Sequence, residues 1–138
     1  MITALDTNVL LDILLPNENF YDASAAALEN AASEGSLVIC DVVYAELCAH
    51  FRTERECGEF LKDTDIRVES LGRGACFLAS RTWRTYRLHG GKRSRILPDF
   101  LIGAHAQVHA ARLLSRDRGF YRESFPSLRL IDPAAREN

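Results

Sequence analysis

The chain opens on a short apolar segment that leads directly to a carboxylate. Residues 2–5 precede Asp6, and Thr7 and Asn8 follow at once. A short apolar run of this kind predicts a strand buried on both faces. The apolar residues at 9–15 predict a helix capped by Thr7 or Asn8. Asp6 is therefore expected where a buried strand gives way to a helix, which in open α/β sheets is the edge where ligands bind.

The same alternation of apolar runs and helical segments continues along the chain. Strands are predicted at residues 36–40, 66–71, 112–117 and 127–131. Helices are predicted at residues 20–34, 42–51, 52–64 and 75–88 and in the segment opened by Pro98. Strands alternating with helices indicate an α/β fold, with a parallel sheet covered on both faces.

Size and composition indicate one globular domain. The chain has 138 residues, 47% of them hydrophobic, which suffices for one core. The net charge of −2 argues neither for nor against nucleic acid. The apolar run at 9–15 is too short to span a bilayer, and no basic region precedes an apolar stretch. We therefore expect a cytoplasmic protein with no membrane association.

The four cysteines show no metal-binding pattern. Cys40, Cys48, Cys57 and Cys76 include no CxxC pair, so reduced, partly buried thiols are expected. The spacing of Cys48, His50 and Cys57 does not match a closed zinc site.

Four acidic residues fall at the ends of predicted strands or in the helices that start from them: Asp6, Glu46, Asp99 and Asp117. Each alone has an ordinary explanation, such as a first-turn helix acid for Asp99 or a turn former for Asp117. Together they would converge on one sheet edge, where like charges raise one another's pKa unless a cation binds. Such hard oxygen ligands suit Mg²⁺ or Mn²⁺. This set favours metal-assisted attack of water on a phosphodiester.

The acids lie in longer motifs that occur in a fixed order. The motifs are Leu5-Asp6-Thr7-Asn8-Val9-Leu10, Tyr44-Ala45-Glu46-Leu47, Pro98-Asp99-Phe100-Leu101-Ile102-Gly103-Ala104 and Ser115-Arg116-Asp117-Arg118-Gly119-Phe120-Tyr121. This ordered set resembles the PIN-domain nucleases over nearly the whole chain. The small size and the ending Leu130-Ile131-Asp132-Pro133 are similar to VapC-type toxins of bacterial toxin–antitoxin pairs.

The resemblance implies a fold, an activity and a set of partners. The fold would be one PIN domain over residues 1–138, a three-layer α/β/α arrangement with strand order 3-2-1-4-5. The activity would be Mg²⁺-dependent endoribonuclease cleavage, with Mn²⁺ able to substitute, by a homodimer that a cognate antitoxin inhibits. Carried over by position, Asp6, Glu46, Asp99 and Asp117 would be the catalytic and metal-binding acids. Thr7, Asn8 and Ser115 match polar positions that support them.

A basic segment precedes the third acidic motif. Six basic residues and no acids lie between Arg81 and Arg95. Its last three basic residues, Lys92, Arg93 and Arg95, lead almost directly to Asp99 and are predicted to guide RNA phosphates. The alternative is a solvated helix face followed by a basic loop.

Two other features are interpreted as structural. His105 and His109 have i, i+4 spacing, as zinc ligands can have. No third ligand is evident nearby in the sequence, so a structural role is expected. Asp12 lies more than a turn past the start of the first helix, is expected to point away from Asp6, and is left out of the site.

Two other functional classes fit part of the pattern. One is a catalytically silent RNA-binding domain of the same fold. The other is a metal-dependent phosphatase or phosphoacceptor domain, which also clusters acids at a sheet edge. Such domains usually carry a lysine near the last strand, and here no lysine follows Lys92.

Overall fold

The computed structural model describes residues 1–15, 17–91 and 97–134, and within these ranges five strands alternate with seven helices. The strands are β1 (Ile2–Leu5), β2 (Ser36–Ile39), β3 (Ile66–Val68), β4 (Arg112–Leu114) and β5 (Leu130–Ile131). The helices are α1 (Thr7–Leu14), α2 (Tyr21–Glu34), α3 (Asp41–Cys48), α4 (Glu54–Asp63), α5 (Gly72–Leu88), α6 (Leu97–His109) and α7 (Arg118–Ser124).

The strands form one parallel sheet in the order β3-β2-β1-β4-β5, so the predicted fold class and strand order are confirmed. Consecutive residues of β1 are buried, with Thr3 0%, Ala4 2% and Leu5 1% exposed. Because neighbouring strand residues point to opposite faces, this burial means that helices cover both faces of the sheet. The resulting architecture has three layers, α/β/α.

The register of β1 and β4 places the carboxyl ends of these strands side by side. Leu5 is paired with Leu114, and the amide of Asp6 donates to the carbonyl of Leu114 at 3.0 Å. The strand order reverses between β1 and β4, so their shared edge is the topological switch point of the sheet, where open α/β folds bind ligands.

Helix α6 lies in the interior, as its nearly continuous apolar sequence predicted. Its buried residues include Phe100, Ile102 and Ala104. Gly103 is required where α6 meets Phe125, the residue after α7, because a Cβ atom there would collide with the Phe125 ring. Helix α6 also packs against α5, β4 and β1.

Several element boundaries differ from those predicted. The helix after β1 is capped by Asp6, whose side chain accepts from the amide of Thr7, and not by Thr7 or Asn8. The strand predicted at 112–117 ends at Leu114, because Ser115 turns its hydroxyl toward Asp6. Helix α7 was not predicted. Its first residue follows Asp117, which the sequence suggested was part of a turn.

Two findings concern the cysteines and the helices of the described residues. All four cysteines are free, although the Sγ atoms of Cys48 and Cys57 lie 3.0 Å apart. None of the helices in the described ranges has the length and apolar character that a bilayer span requires.

Candidate active site

The carboxylate of Asp6 is the centre of a hydrogen-bond network at the end of β1. Its Oδ1 atom accepts from the amide of Thr7 at 2.7 Å. Its Oδ2 atom accepts from Ser115 Oγ at 2.7 Å, Tyr121 OH at 3.0 Å and Asn8 Nδ2 at 3.4 Å. The residue is 7% exposed. Donors from three parts of the chain therefore fix one buried carboxylate.

Burial makes this carboxylate difficult to ionise. Burial raises the pKa of Asp6 above its ordinary value, hydrogen bonds from Ser115, Tyr121 and Thr7 oppose the shift, and the charge of Glu46 adds to it. Because the charged form is destabilised, a cation at this edge would be bound favourably.

Ser115 and Asn8 connect Asp6 to the segment between β4 and α7. Ser115 Oγ accepts from the amide of Asp117 at 2.9 Å and from Asn8 Nδ2 at 3.3 Å. Asn8 Oδ1 accepts from the amide of Arg116 at 3.2 Å. These contacts tie the start of α1 to the residues around Asp117.

Glu46 reaches the same network through Thr7. It lies in α3, the helix that follows β2, and its Oε1 atom accepts from Thr7 Oγ1 at 2.9 Å. Glu46 is exposed, whereas Asp6 is buried. The two acids therefore differ in access to water, although Thr7 contacts both.

The charges of Asp99 and Asp117 act on Tyr121. Asp99 is in the first turn of α6, and Asp117 is the residue before α7. Burial raises the pKa of Tyr121 well above 10, and the charge of Asp6, its hydrogen bond and the charges of Asp99 and Asp117 add to the shift. Tyr121 is 1% exposed. Its hydroxyl group therefore stays protonated and donates a hydrogen bond to Asp6.

Tyr121 belongs to the last of the sequence motifs but had no predicted role. Its position four residues after Asp117 places it on the first turn of α7. The unpredicted helix explains the omission, because in an extended segment the ring would not be directed to Asp6.

The donor set can be tested against a metal ion. No group of three or more His, Cys, Asp or Glu side chains in the described ranges could hold an ion by itself. Mg²⁺ commonly binds through one or two carboxylates, keeps several waters and takes further oxygens from substrate phosphates. The all-oxygen set, with Glu46 open to water, fits this mode and does not fit a closed zinc site.

Asp12, which the sequence placed outside the site, is buried next to it. It is 3% exposed and forms an ion pair with Arg116, with Nε–Oδ2 and Nη2–Oδ1 distances of 2.7 Å and 3.0 Å. Ser24 Oγ also donates to Asp12 at 2.7 Å. Sequence reasoning missed the pair because its members lie 104 residues apart.

The predicted RNA-guiding residues Lys92, Arg93 and Arg95 lie outside the described residues. The preceding arginines on α5 are exposed, with Arg81 over the ring of Phe77 and Arg87 over the ring of Trp83.

A cleft of about 880 Å³ lies between the end of α5 and α7. Arg81, Tyr86, His89, Phe120 and Glu123 contribute to its lining. None of the four acids lines it, so this cleft is distinct from the acidic edge.

The histidines of α6 have the contacts of structural residues. His109 Nε2 lies 2.7 Å from the carbonyl of Leu71, and its ring is 5.1 Å from that of His105. His105 is 1% exposed, and burial lowers its pKa. Its Nε2 atom has no hydrogen-bond partner among the described residues. No third metal-binding side chain joins the two in the described ranges.

Several solved structures with a similar fold belong to toxin–antitoxin complexes. VapBC2 from Rickettsia felis, bound to a DNA fragment from its promoter, aligns with a TM-score of 0.73 at 21% identity, over 96% of this chain and 98% of that one. VapBC-1 from nontypeable Haemophilus influenzae aligns with a TM-score of 0.74 at 18% identity, over 98% and 100%. FitAcB from Neisseria gonorrhoeae aligns with a TM-score of 0.70 at 20% identity, over 96% and 98%.

The family itself is established from the sequence. No curated protein shows a significant match to the chain. The PIN-domain family profile matches residues 3–125, a range that contains Asp6, Glu46, Asp99 and Asp117 together with all strands except β5. On this match, and with the strand order and acidic edge described above, the chain belongs to the PIN-domain family.

Proposed function

We propose that this protein is a Mg²⁺-dependent endoribonuclease, the toxin of a VapC-type toxin–antitoxin pair. The observation that carries the proposal is the buried carboxylate of Asp6, whose pKa is raised by burial and by Glu46. The charges of Asp99 and Asp117 act on Tyr121, which donates a hydrogen bond to Asp6. Acids gathered at the switch point of a parallel sheet require positive charge.

Each residue has a definite role in this proposal. Asp6, Glu46, Asp99 and Asp117 would hold Mg²⁺ directly or through water, and Mn²⁺ would substitute for it. The ion supplies activation of water and stabilisation of the developing negative charge on the phosphate. Tyr121, Ser115 and the amide of Thr7 fix the orientation of Asp6 by donating to it. Thr7 Oγ1 orients Glu46 in the same way.

RNA as the substrate is supported by a run of basic residues that precedes Asp99 in the sequence. Lys92, Arg93 and Arg95 precede Asp99 in the sequence, and Arg81, Arg84 and Arg87 are exposed on α5. Cations next to an acidic metal site would attract the phosphates that the acids repel.

A cognate antitoxin and a homodimer are the proposed assembly. Support for the antitoxin comes from the fold, because its structural neighbours are toxin–antitoxin complexes. An arginine or lysine from such a partner would bind well among these carboxylates when Mg²⁺ is absent. The homodimer rests on the family resemblance.

Cleavage of a fluorescent single-stranded RNA tests the proposal. We expect cleavage with Mg²⁺ or Mn²⁺, and none after chelation. Asp6→Asn and Asp117→Asn should each lower the rate by at least about 100-fold. Asp22→Asn, a charge-matched control in the first turn of α2, should cleave like the parent.

The same assay separates the alternative functions. RNA binding without cleavage in any divalent metal would indicate a silent RNA-binding domain. Release of phosphate from a phosphomonoester, with the RNA intact, would indicate a phosphatase. Equal activity of Asp6→Asn and the parent would contradict the site assignment.

A further inference from the structure

We propose that Asp12 and Arg116 form a positioning pair, which holds the segment from Ser115 to Asp117 in the geometry that the acidic edge requires. The proposal extends the proposed nuclease function to two residues outside the acidic quartet. It rests on that function only for its consequence for catalysis, because the positioning itself is a property of the metal-free protein.

The pair has the geometry of a strong, fixed contact. Arg116 donates to both carboxylate oxygens of Asp12, at 2.7 Å and 3.0 Å. This two-bond arrangement restricts orientation as well as distance. Ser24 Oγ holds the same carboxylate at 2.7 Å, and the ring of Phe20 lies 4.0 Å from the guanidinium carbon. Both members are therefore held from a second side, by α2 and the residue before it.

The position of Arg116 in the chain gives the pair its effect on the site. Ser115 on one side donates to Asp6, and Asp117 on the other donates its amide to Ser115 Oγ. The amide of Arg116 itself donates to Asn8 Oδ1. The backbone amide of Arg116 thus belongs to the site, while its side chain is bonded to Asp12 in α1.

Helix α1 is consequently joined to this segment at two points. Asp6 and Asn8 make contacts at its start, and Asp12 makes the second attachment more than one turn later. Two separated attachments resist rotation of the segment about the first one. Without the second, the main chain of residues 115–117 could turn, and the carboxylate of Asp117 would move relative to Asp6.

The pair also neutralises the positive charge of Arg116. Arg116 is the residue between Ser115 and Asp117, and a guanidinium released there could bind the acidic edge in place of a metal ion. Asp12 neutralises it through both carboxylate oxygens. Loss of Asp12 should therefore both loosen the segment and add a competing cation.

Amide hydrogen exchange of the metal-free protein tests the positioning role directly. In Arg116→Met, the amides of residues 116 and 117 should exchange at least about tenfold faster than in the parent, because the acceptors of both amides depend on the segment's orientation. Arg116→Lys keeps the charge but loses the two-bond geometry, and should give a smaller increase. Asp12→Asn should also accelerate both amides.

A buried arginine at the start of β4 supplies the matched control. Arg112, at the start of β4, pairs with Glu34 at 2.8 Å and with Thr3 Oγ1 at 2.8 Å. Arg112→Met removes a comparable buried contact at the opposite end of the strand. In this variant the amides of residues 116 and 117 should keep the protection that they have in the parent, measured relative to the amide of Asp6. The Asp6 amide donates to the carbonyl of Leu114.

Catalysis provides an independent readout. In Mg²⁺, Arg116→Lys and Asp12→Asn should lower kcat by about tenfold and raise the half-saturating Mg²⁺ concentration, with KM for RNA nearly unchanged. Arg112→Met should alter neither parameter. If the parent cleaves no RNA, the nuclease function is wrong, and the exchange experiment still decides the positioning role.

Two results would overturn the inference. One is the same protection of residues 116 and 117 in Arg116→Lys and Asp12→Asn as in the parent. The other is an equal loss of protection in Arg112→Met, which would mean that the pair acts through global stability alone. If Arg116→Met fails to fold, the lysine and asparagine variants decide the question by the same criteria.

Discussion

Asp6 illustrates a conflict between stability and ligand binding at a single residue. Its carboxylate accepts four hydrogen bonds, yet burial raises its pKa despite them. The hydrogen bonds orient the group but do not fully replace its hydration. A carboxylate in this state favours the binding of a proton or of a cation.

This conflict predicts how the stability of Asp6→Asn, compared with that of the parent, depends on pH. Because the folded-state pKa is above the ordinary 3.8, the folded protein binds the Asp6 proton more tightly than the unfolded chain does. The stability from this group is present below pH 3.8 and is lost as the pH rises through the folded-state pKa. Without metal, Asp6→Asn should therefore melt higher than the parent near pH 7, and the difference should shrink toward pH 4.

Thermal unfolding at several pH values, with and without Mg²⁺, measures this effect. Mg²⁺ should raise the Tm of the parent and have little effect on Asp6→Asn, since a ligand stabilises only the state that binds it. Asp22→Asn controls for the change in net charge. A parent and variant with the same Tm at all pH values would show that Asp6 carries no such cost.

At the scale of elements, two of the four acids lie where helices α6 and α7 begin. Asp99 lies at the start of α6, and Asp117 directly precedes α7. Gly103 in α6 leaves room for Phe125, the residue after α7, and Phe100 packs edge to face on Phe120, with ring centroids 5.1 Å apart. These side-chain contacts join the two segments that carry the acids.

Gly103→Ala should therefore destabilise the protein although alanine favours helices. Its Cβ would collide with the buried Phe125 ring, and overpacking of this kind costs about 1–3 kcal/mol. The matched control is Gly58→Ala in α4, where a Cβ meets nothing within 4 Å. There alanine should stabilise by roughly 0.5–1 kcal/mol. Denaturant unfolding of both variants measures the two effects, and a neutral or stabilising result for Gly103→Ala would contradict the packing described.

At the scale of the whole molecule, the architecture was predictable and part of the site was not. Short apolar runs followed by helical periodicity identify a parallel sheet, and its strand order follows from the resemblance of the acidic motifs to the PIN-domain family. Periodicity does not reveal contacts between distant residues. The pairing of Asp12 with Arg116 and the donation from Tyr121 to Asp6 depend on such contacts. The cap at Asp6 was missed for a local reason, because Thr7 and Asn8 are equally good cap residues.

The distribution of charge over the molecule predicts how RNA binding depends on salt. Replacement of Lys92, Arg93 and Arg95 together by Ala should reduce the slope of log affinity against log salt by about 2, at ~0.7 per phosphate contact on single strands. Fluorescence anisotropy measures this slope, with all variants made in the Asp117→Asn background so that the RNA is expected to stay intact. Ala at Arg52, Arg55 and Lys62, exposed residues on or beside α4, makes the same change in net charge and should leave the slope nearly unchanged. Equal slopes for the two triple variants would show that residues 92–95 do not guide RNA.

The distance along the chain between Asp6 and its partners has a consequence for protein synthesis. Ser115 and Tyr121 lie 109 and 115 positions after Asp6 in the chain. A nascent chain that stops between these positions carries the carboxylate of Asp6 but lacks the donors that orient it. Synthesis proceeds at about 5–20 residues per second, so several seconds separate the making of Asp6 from the making of its last donor. The acidic edge therefore cannot reach its final geometry until Tyr121 has been added.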